Sequence, residues 1–182
     1  MIRGIHHVAI STPDLDRMTT FYRDGLGFQQ VMEGGWSDRP IVDQIIDLPG
    51  SAARQAMFRA GNCYVEVFEY SSPTPRPHDP AAPPNDHGIT HVSFDVVDIE
   101  AEYERLTSLG MTFHRRPPTT EELGGRSPLR AIYGRDPDGN IIELQEVLDP
   151  SIPFSLEQTD LAGPTLRREA ADRSTVTTET TP

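Results

Sequence analysis

The sequence predicts an α+β protein built from two copies of one β-α-β-β-β unit, and three observations carry that reading. First, "GIHHVAISTPDLDRMTTFYRDGLGF" returns as "GITHVSFDVVDIEAEYERLTSLGMTF", so Gly4, Ile5, His7, Val8 and Asp14 match Gly88, Ile89, His91, Val92 and Asp98. Second, "YVEVFEY" at 64–70 aligns with "IIELQEV" at 141–147, setting Glu66 against Glu143 and Glu69 against Glu146. Third, "SSPTPRPHDPAAPPNDH" separates the copies, and its six prolines exclude a helix interior or a central strand. The expected organisation is a first unit at 1–70, an extended linker at 71–87, a second unit at 88–148 and a partly disordered C-terminal extension at 149–182.

Each copy opens on a strand rich in β-branched residues. An aspartate, Asp14 or Asp98, then stands where a helix N-cap belongs. Leu15, Met18 and Tyr22 keep helical spacing in the first copy; Ile99, Tyr103 and Leu106 keep it in the second. Leu26-Gly27 and Leu109-Gly110 close the two helices. Strands complete each unit, the last of them following the turn signal "DPDGN". The long stretch Gly34–Ser51 reads as a cleft-lining loop, with Trp36 as wall or core. After Val147, Ile152, Phe154 and Leu156 are the residues expected to pack on the body, and the polar remainder reads as a solvated tail.

Composition narrows the function. The formal net charge of −12 argues against a nucleic-acid or anionic-membrane surface. No apolar run is long enough to span a membrane, and the N-terminus lacks a signal-peptide core. A single cysteine, Cys63, allows no internal disulfide and fits a reducing cytoplasm; a small apolar role suits it better than that of a nucleophile. All 16 cationic side chains are arginines, which excludes a lysine Schiff base.

The chemistry rests on what repeats. Strand neighbours point to opposite faces, so His7 and His6 separate; the second copy keeps His91 but places Thr90 opposite His6. His6 is therefore expected on the other side of the strand. His7, Glu66, His91 and Glu143 form two equivalent pairs, and pairing about a pseudo-twofold axis would let all four converge. Two imidazoles and two carboxylates suit a divalent metal. Two buried His–Glu hydrogen bonds without a metal are the alternative, since burial of such groups is costly unless they are satisfied.

These motifs, with "CYVEVFEY" and "YGRDPDGNIIELQE", resemble the vicinal oxygen chelate superfamily of glyoxalases, bleomycin-resistance proteins and extradiol dioxygenases, over about residues 3–148. The resemblance implies paired βαβββ modules forming a curved eight-stranded mixed sheet around a metal cleft. It implies His7, Glu66, His91 and Glu143 as ligands of a divalent ion (Zn, Ni, Co, Mn or Fe), a small-molecule substrate and a homodimer. The activity it implies is isomerase, epimerase or lyase chemistry, with Glu143 or Glu66 taking a proton next to a metal-bound oxygen. An Fe(II)-dependent extradiol-type dioxygenase acting on a catechol-like substrate would instead use His7, His91 and Glu143, with Glu66 as the discriminator. A small-molecule binding or resistance protein using the same cleft is a further alternative. Asp47 lies near where the epimerase branch has an additional carboxylate, but equally caps a turn. Phe58, Tyr64, Phe68 and Tyr133 fall on strand faces as cleft lining or core. Arg115, Arg116 and Arg135 are candidate anion contacts or plain surface charges. His78 and His87 read as solvated, and His114 has no evident partner.

Overall fold

In the computed structural model, which describes Ile2 and residues 4–156, each half of the chain builds a four-stranded sheet. The first holds β1 (His7–Ser11), β2 (Gln29–Trp36), β3 (Ala52–Ala60) and β4 (Cys63–Ser72), ordered β1-β4-β3-β2. The second holds β5 (Val92–Asp95), β6 (Thr112–Phe113), β7 (Leu129–Arg135) and β8 (Ile141–Val147), ordered β5-β8-β7-β6. First and last strands of each unit pair in parallel, and the other pairs are antiparallel. A parallel pair requires a crossover. Helix α1 (Leu15–Thr20), continued by a π-helical turn at Phe21–Gly25, provides it in the first unit. Helix α2 (Pro40–Ile46) lies within the segment expected as a loop, started by a proline at its first turn. Helix α3 (Ile99–Ser108) makes the second crossover.

The repeated acidic residues explain how both crossovers start. The carboxylate of Asp14 accepts from Arg17 N at 3.0 Å, and that of Asp98 from Ala101 N at 3.1 Å. Glu69 accepts from Leu15 N at 3.0 Å, and Glu146 from Asp98 N at 2.9 Å. The second repeated glutamate of each unit thus ties the final strand to the start of the helix. Alternation then assigns the sheet faces. Phe58, Val65 and Val67 point toward Leu15, Met18 and Tyr22, while Ile132, Ile142 and Leu144 join Ile99 and Leu106 in the same apolar cluster. Full burial of each such side chain contributes about 1.5–3 kcal/mol.

The two units share this core and are stitched at its edges. Phe28 meets Phe94 with ring centroids 5.2 Å apart. The Tyr22 hydroxyl donates to Asp136 at 3.4 Å, Arg17 pairs with Asp138, and Arg105 donates to the Gly25 carbonyl at 2.5 Å. The eight strands do not hydrogen-bond as one continuous sheet: pairing ends at β1 on one side and β5 on the other. Between these edges lies a cavity of about 430 Å³, with Val8, Val65, Val92 and Phe94 in its wall.

The linker is anchored to the second unit. Arg135 donates to the Ala82 carbonyl at 2.9 Å, and Pro80 lies so close to Gly139 that a Cβ there would come within 2.4 Å of the proline Cα. At the other end, Ile152 is half-buried, but Phe154 and Leu156 are 58% and 54% exposed, so the expected packing of these two does not form. The tail beyond Leu156 lies outside the described residues. Among the described residues no helix is long and apolar enough to cross a membrane.

Candidate metal centre

The site residues occupy the sheet faces turned away from the helices. His7 on β1 and Glu66 on β4 are brought together by the parallel pairing, in which Ala9 lies opposite Glu66. His7 Nε2 stands 3.3 Å from Glu66 Oε2. In the second unit His91 immediately precedes β5, and His91 Nε2 stands 3.2 Å from Glu143 Oε2 on β8. The carboxylates are the more enclosed partners: the Glu66 and Glu143 side chains are 12% and 14% exposed, against 40% and 29% for His7 and His91. An enclosed carboxylate needs a cation or hydrogen-bond donors to offset desolvation.

The structure thus brings His7 to Glu66 and His91 to Glu143. It does not gather the two pairs: among the described residues no group of three or more His, Cys, Asp or Glu side chains is placed to hold a metal ion. The donor chemistry fits a divalent ion, one half of the set on each unit. β1 and β5 are edge strands of separate sheets and do not hydrogen-bond to each other, so each pair lies on its own sheet.

The surroundings of the pairs are aromatic. Trp36 packs edge-on against Phe68 and Tyr70, and its indole N–H donates to Ser51 Oγ at 2.8 Å. Tyr64, Phe68 and Tyr70 alternate with the core residues Val65 and Val67, so they share the Glu66 face. Phe58 is instead fully buried in the core. Tyr133 lies opposite Glu143 in the β7–β8 register, its ring 4.9 Å from that of His91. Burial, and secondarily the nearby Glu66 or Glu143 charge, raises the Tyr70 and Tyr133 phenols above their ordinary range. His114 reaches Tyr133 edge-on at 6.4 Å, a neighbour the sequence did not reveal.

Other candidates have structural partners. Arg115 and Arg116 pair with Glu122. Arg135 is committed to the Gly139 and Ala82 carbonyls. Asp47 is the left-handed C-cap of α2. His78 and His87 are exposed in the linker.

His6 departs from expectation. β1 begins at His7, so strand alternation does not govern the residue before it. His6 folds back onto the side of the sheet that carries His7 and Glu66, stacked on Tyr64 with centroids 5.2 Å apart, and its Nδ1 meets His7 Nδ1 at 2.9 Å.

Residues 4–144 match the family model described as the Glyoxalase/Bleomycin resistance protein/Dioxygenase superfamily, and the chain belongs to that superfamily. It is 31% identical over 166 residues to 2-epi-5-epi-valiolone epimerase of Actinomyces sp., covering 87% of this chain and 86% of the relative. It is 24% identical to an ethylmalonyl-CoA/methylmalonyl-CoA epimerase of Cereibacter sphaeroides, covering 81% of this chain and all of the relative (100%). Among solved structures, a glyoxalase family protein from Bacillus cereus superposes with a TM-score of 0.71 at 22% identity, over 81% of this chain and 96% of that one. The fosfomycin resistance protein FosX of Listeria monocytogenes, solved with Mn(II) and sulfate, gives 0.50 at 19% identity, over 80% and 93%.

Proposed function

We propose that the protein is a divalent-metal-dependent enzyme of the isomerase or epimerase type, removing and returning a proton beside a carbonyl of a small-molecule substrate. The observation that carries this is the repeated His–Glu pair, His7 with Glu66 and His91 with Glu143, each with its carboxylate enclosed. Two relatives named as epimerases support the reaction class, and FosX solved with Mn(II) supports the ion. His7, Glu66, His91 and Glu143 would hold the ion, which supplies positive charge to stabilise the negative charge that proton removal creates. Glu143 is the base: its carboxylate takes the proton and returns it to a neighbouring atom on its own side in an isomerisation, whereas in an epimerisation Glu66 delivers a proton to the opposite face. Tyr133 and the Trp36–Phe68–Tyr70 wall exclude water and orient the substrate. Glu66 stands to His7 as Glu143 stands to His91, which favours four ligands over the three of a dioxygenase.

The reading also makes the protein a homodimer in which a second copy unites the halves, because one chain's described residues leave them ungathered. Metal analysis of the purified protein should then find a stoichiometric divalent ion, lost in His7→Ala and His91→Ala. Deuterium from solvent should enter a 2-hydroxyketone or a 2-substituted acyl-thioester, and Glu143→Gln should slow that exchange about 10²–10⁴-fold. Mixing and refolding His7→Ala with His91→Ala should restore one intact site per mixed dimer. A wild type that takes up no divalent ion overturns the assignment; failed complementation overturns only the shared site.

A further inference from the structure

The residue preceding each ligand histidine reaches that histidine's other ring nitrogen. His6 Nδ1 lies 2.9 Å from His7 Nδ1, and Thr90 Oγ1 lies 2.9 Å from His91 Nδ1. The Nε2 atoms meanwhile face Glu66 and Glu143 at 3.3 and 3.2 Å. Each imidazole is therefore gripped at both nitrogens, in the same way in both units. Two unlike residues do this at matched positions of the repeat.

We infer that His6 and Thr90 are the positioning residues of the site: they hold the His7 and His91 rings with Nε2 toward the carboxylates and accept a hydrogen bond from Nδ1–H when Nε2 is engaged by a metal. This rests on the metal reading above. A neutral imidazole carries one proton, and a metal needs the bare Nε2 lone pair, so the proton must sit on Nδ1. An Nδ1–H without an acceptor weakens the ligand, and losing such a partner typically costs 10–100-fold in metal affinity. Imidazole and hydroxyl share the needed property, since each can donate or accept. While Nε2–H donates to the glutamate, His6 or Thr90 donates to Nδ1; once Nε2 binds metal, the neighbour accepts instead. Stacking on Tyr64 keeps the His6 ring in place for this, and Tyr133 packs against the His91 ring. The repeat therefore conserves a hydrogen-bonding capacity at positions 6 and 90, not a residue type.

The test uses the full-length protein, Zn(II) and imidazole ¹⁵N NMR. Thr90→Val is nearly isosteric and lacks the hydroxyl; Thr90→Ser restores it. His6→Phe retains a ring for Tyr64 but has no nitrogen, and His6→Asn returns an amide that donates and accepts. Thr90→Val and His6→Phe should each weaken Zn(II) binding about 10–100-fold, and Thr90→Ser and His6→Asn should recover most of it. In the metal-free wild type, His7 and His91 should each show one tautomer, becoming averaged at His91 in Thr90→Val and at His7 in His6→Phe. Averaged tautomers in the wild type, or Zn(II) affinities of folded Thr90→Val and His6→Phe within twofold of wild type, overturn the inference. Single tautomers in a wild type that binds no Zn(II) would uphold the grip on the rings and reject the metal assignment.

Discussion

At the scale of single residues, close approach decides more than composition. Gly35 on β2 has no room for a side chain, since a Cβ would sit 2.4 Å from the Ala53 carbonyl oxygen, a backbone atom that cannot swing away. Adjacent Gly34 has nothing within 4 Å of the same point. Gly35→Ala should therefore cost about 1–3 kcal/mol and disturb the Trp36 wall, while Gly34→Ala changes little; thermal unfolding of the two variants measures the contrast. Equal melting temperatures would deny the close approach. The two His–Glu pairs were legible in the sequence because duplication marks them: hydrophobic cores do not need a repeated histidine and a repeated glutamate. The side of His6 was not legible, because the alternation rule was carried one residue beyond the strand it describes. Periodicity also left Phe58 and Phe68 alike, although one fills the core and the other lies on the site face.

At the scale of elements, each unit carries the same three-membered charge network under its helix. In the first, Arg54 links Asp16 at 2.6 Å to Glu69 at 3.2 Å; in the second, Arg130 links Glu100 to Glu146. Arg54 and Glu69 are cross-strand partners, as are Arg130 and Glu146. The settings differ: the Arg54 side chain is 49% exposed and that of Arg130 13%. Solvent screens the first network, so Arg54→Met should change stability little. Arg130→Met leaves Glu146 enclosed without its cation, at about 3–5 kcal/mol. Denaturant unfolding of both variants gives the difference, and matching losses would contradict it. The order of elements and both helix starts were readable from Asp14, Asp98 and the helical spacing. The arginines were not, because their role depends on strand register. Helix α2 was hidden because its apolar Ile41 and Ile45 remain 58% and 74% exposed, giving no core-facing stripe.

At the scale of the whole molecule, the two units meet through the shared apolar core and through polar contacts at its edges. Tyr22 is fully buried at this seam, and burial, then the Asp136 charge and hydrogen bond, raise its hydroxyl well above the ordinary 10.0. The unfolded chain ionises a tyrosine near that value while the folded one does not. Its contribution is thus complete below about pH 10 and is lost as pH rises beyond it, at about 1.4 kcal/mol per pH unit. Tyr22→Phe should lose about 0.5–1.5 kcal/mol at neutral pH and show a shallower fall in stability above pH 10. Identical alkaline profiles would place the ionising group elsewhere. No local pattern announces a contact such as Tyr22 with Asp136, separated by 114 residues, which is why the seam and the unjoined edges of β1 and β5 escaped the sequence.

The anchored linker has a consequence for how the two units stay together. Pro80 and Ala82 are fixed to the second unit, and β4 ends at Ser72, so the only slack lies at 73–79, a leash of at most about 25 Å. A leash this short keeps the two bodies at an effective concentration on the millimolar scale. Cutting it between residues 74 and 78 would turn that intramolecular encounter into an ordinary bimolecular equilibrium, governed by dilution. Covalent connection, as much as complementarity of surfaces, keeps the two halves in company.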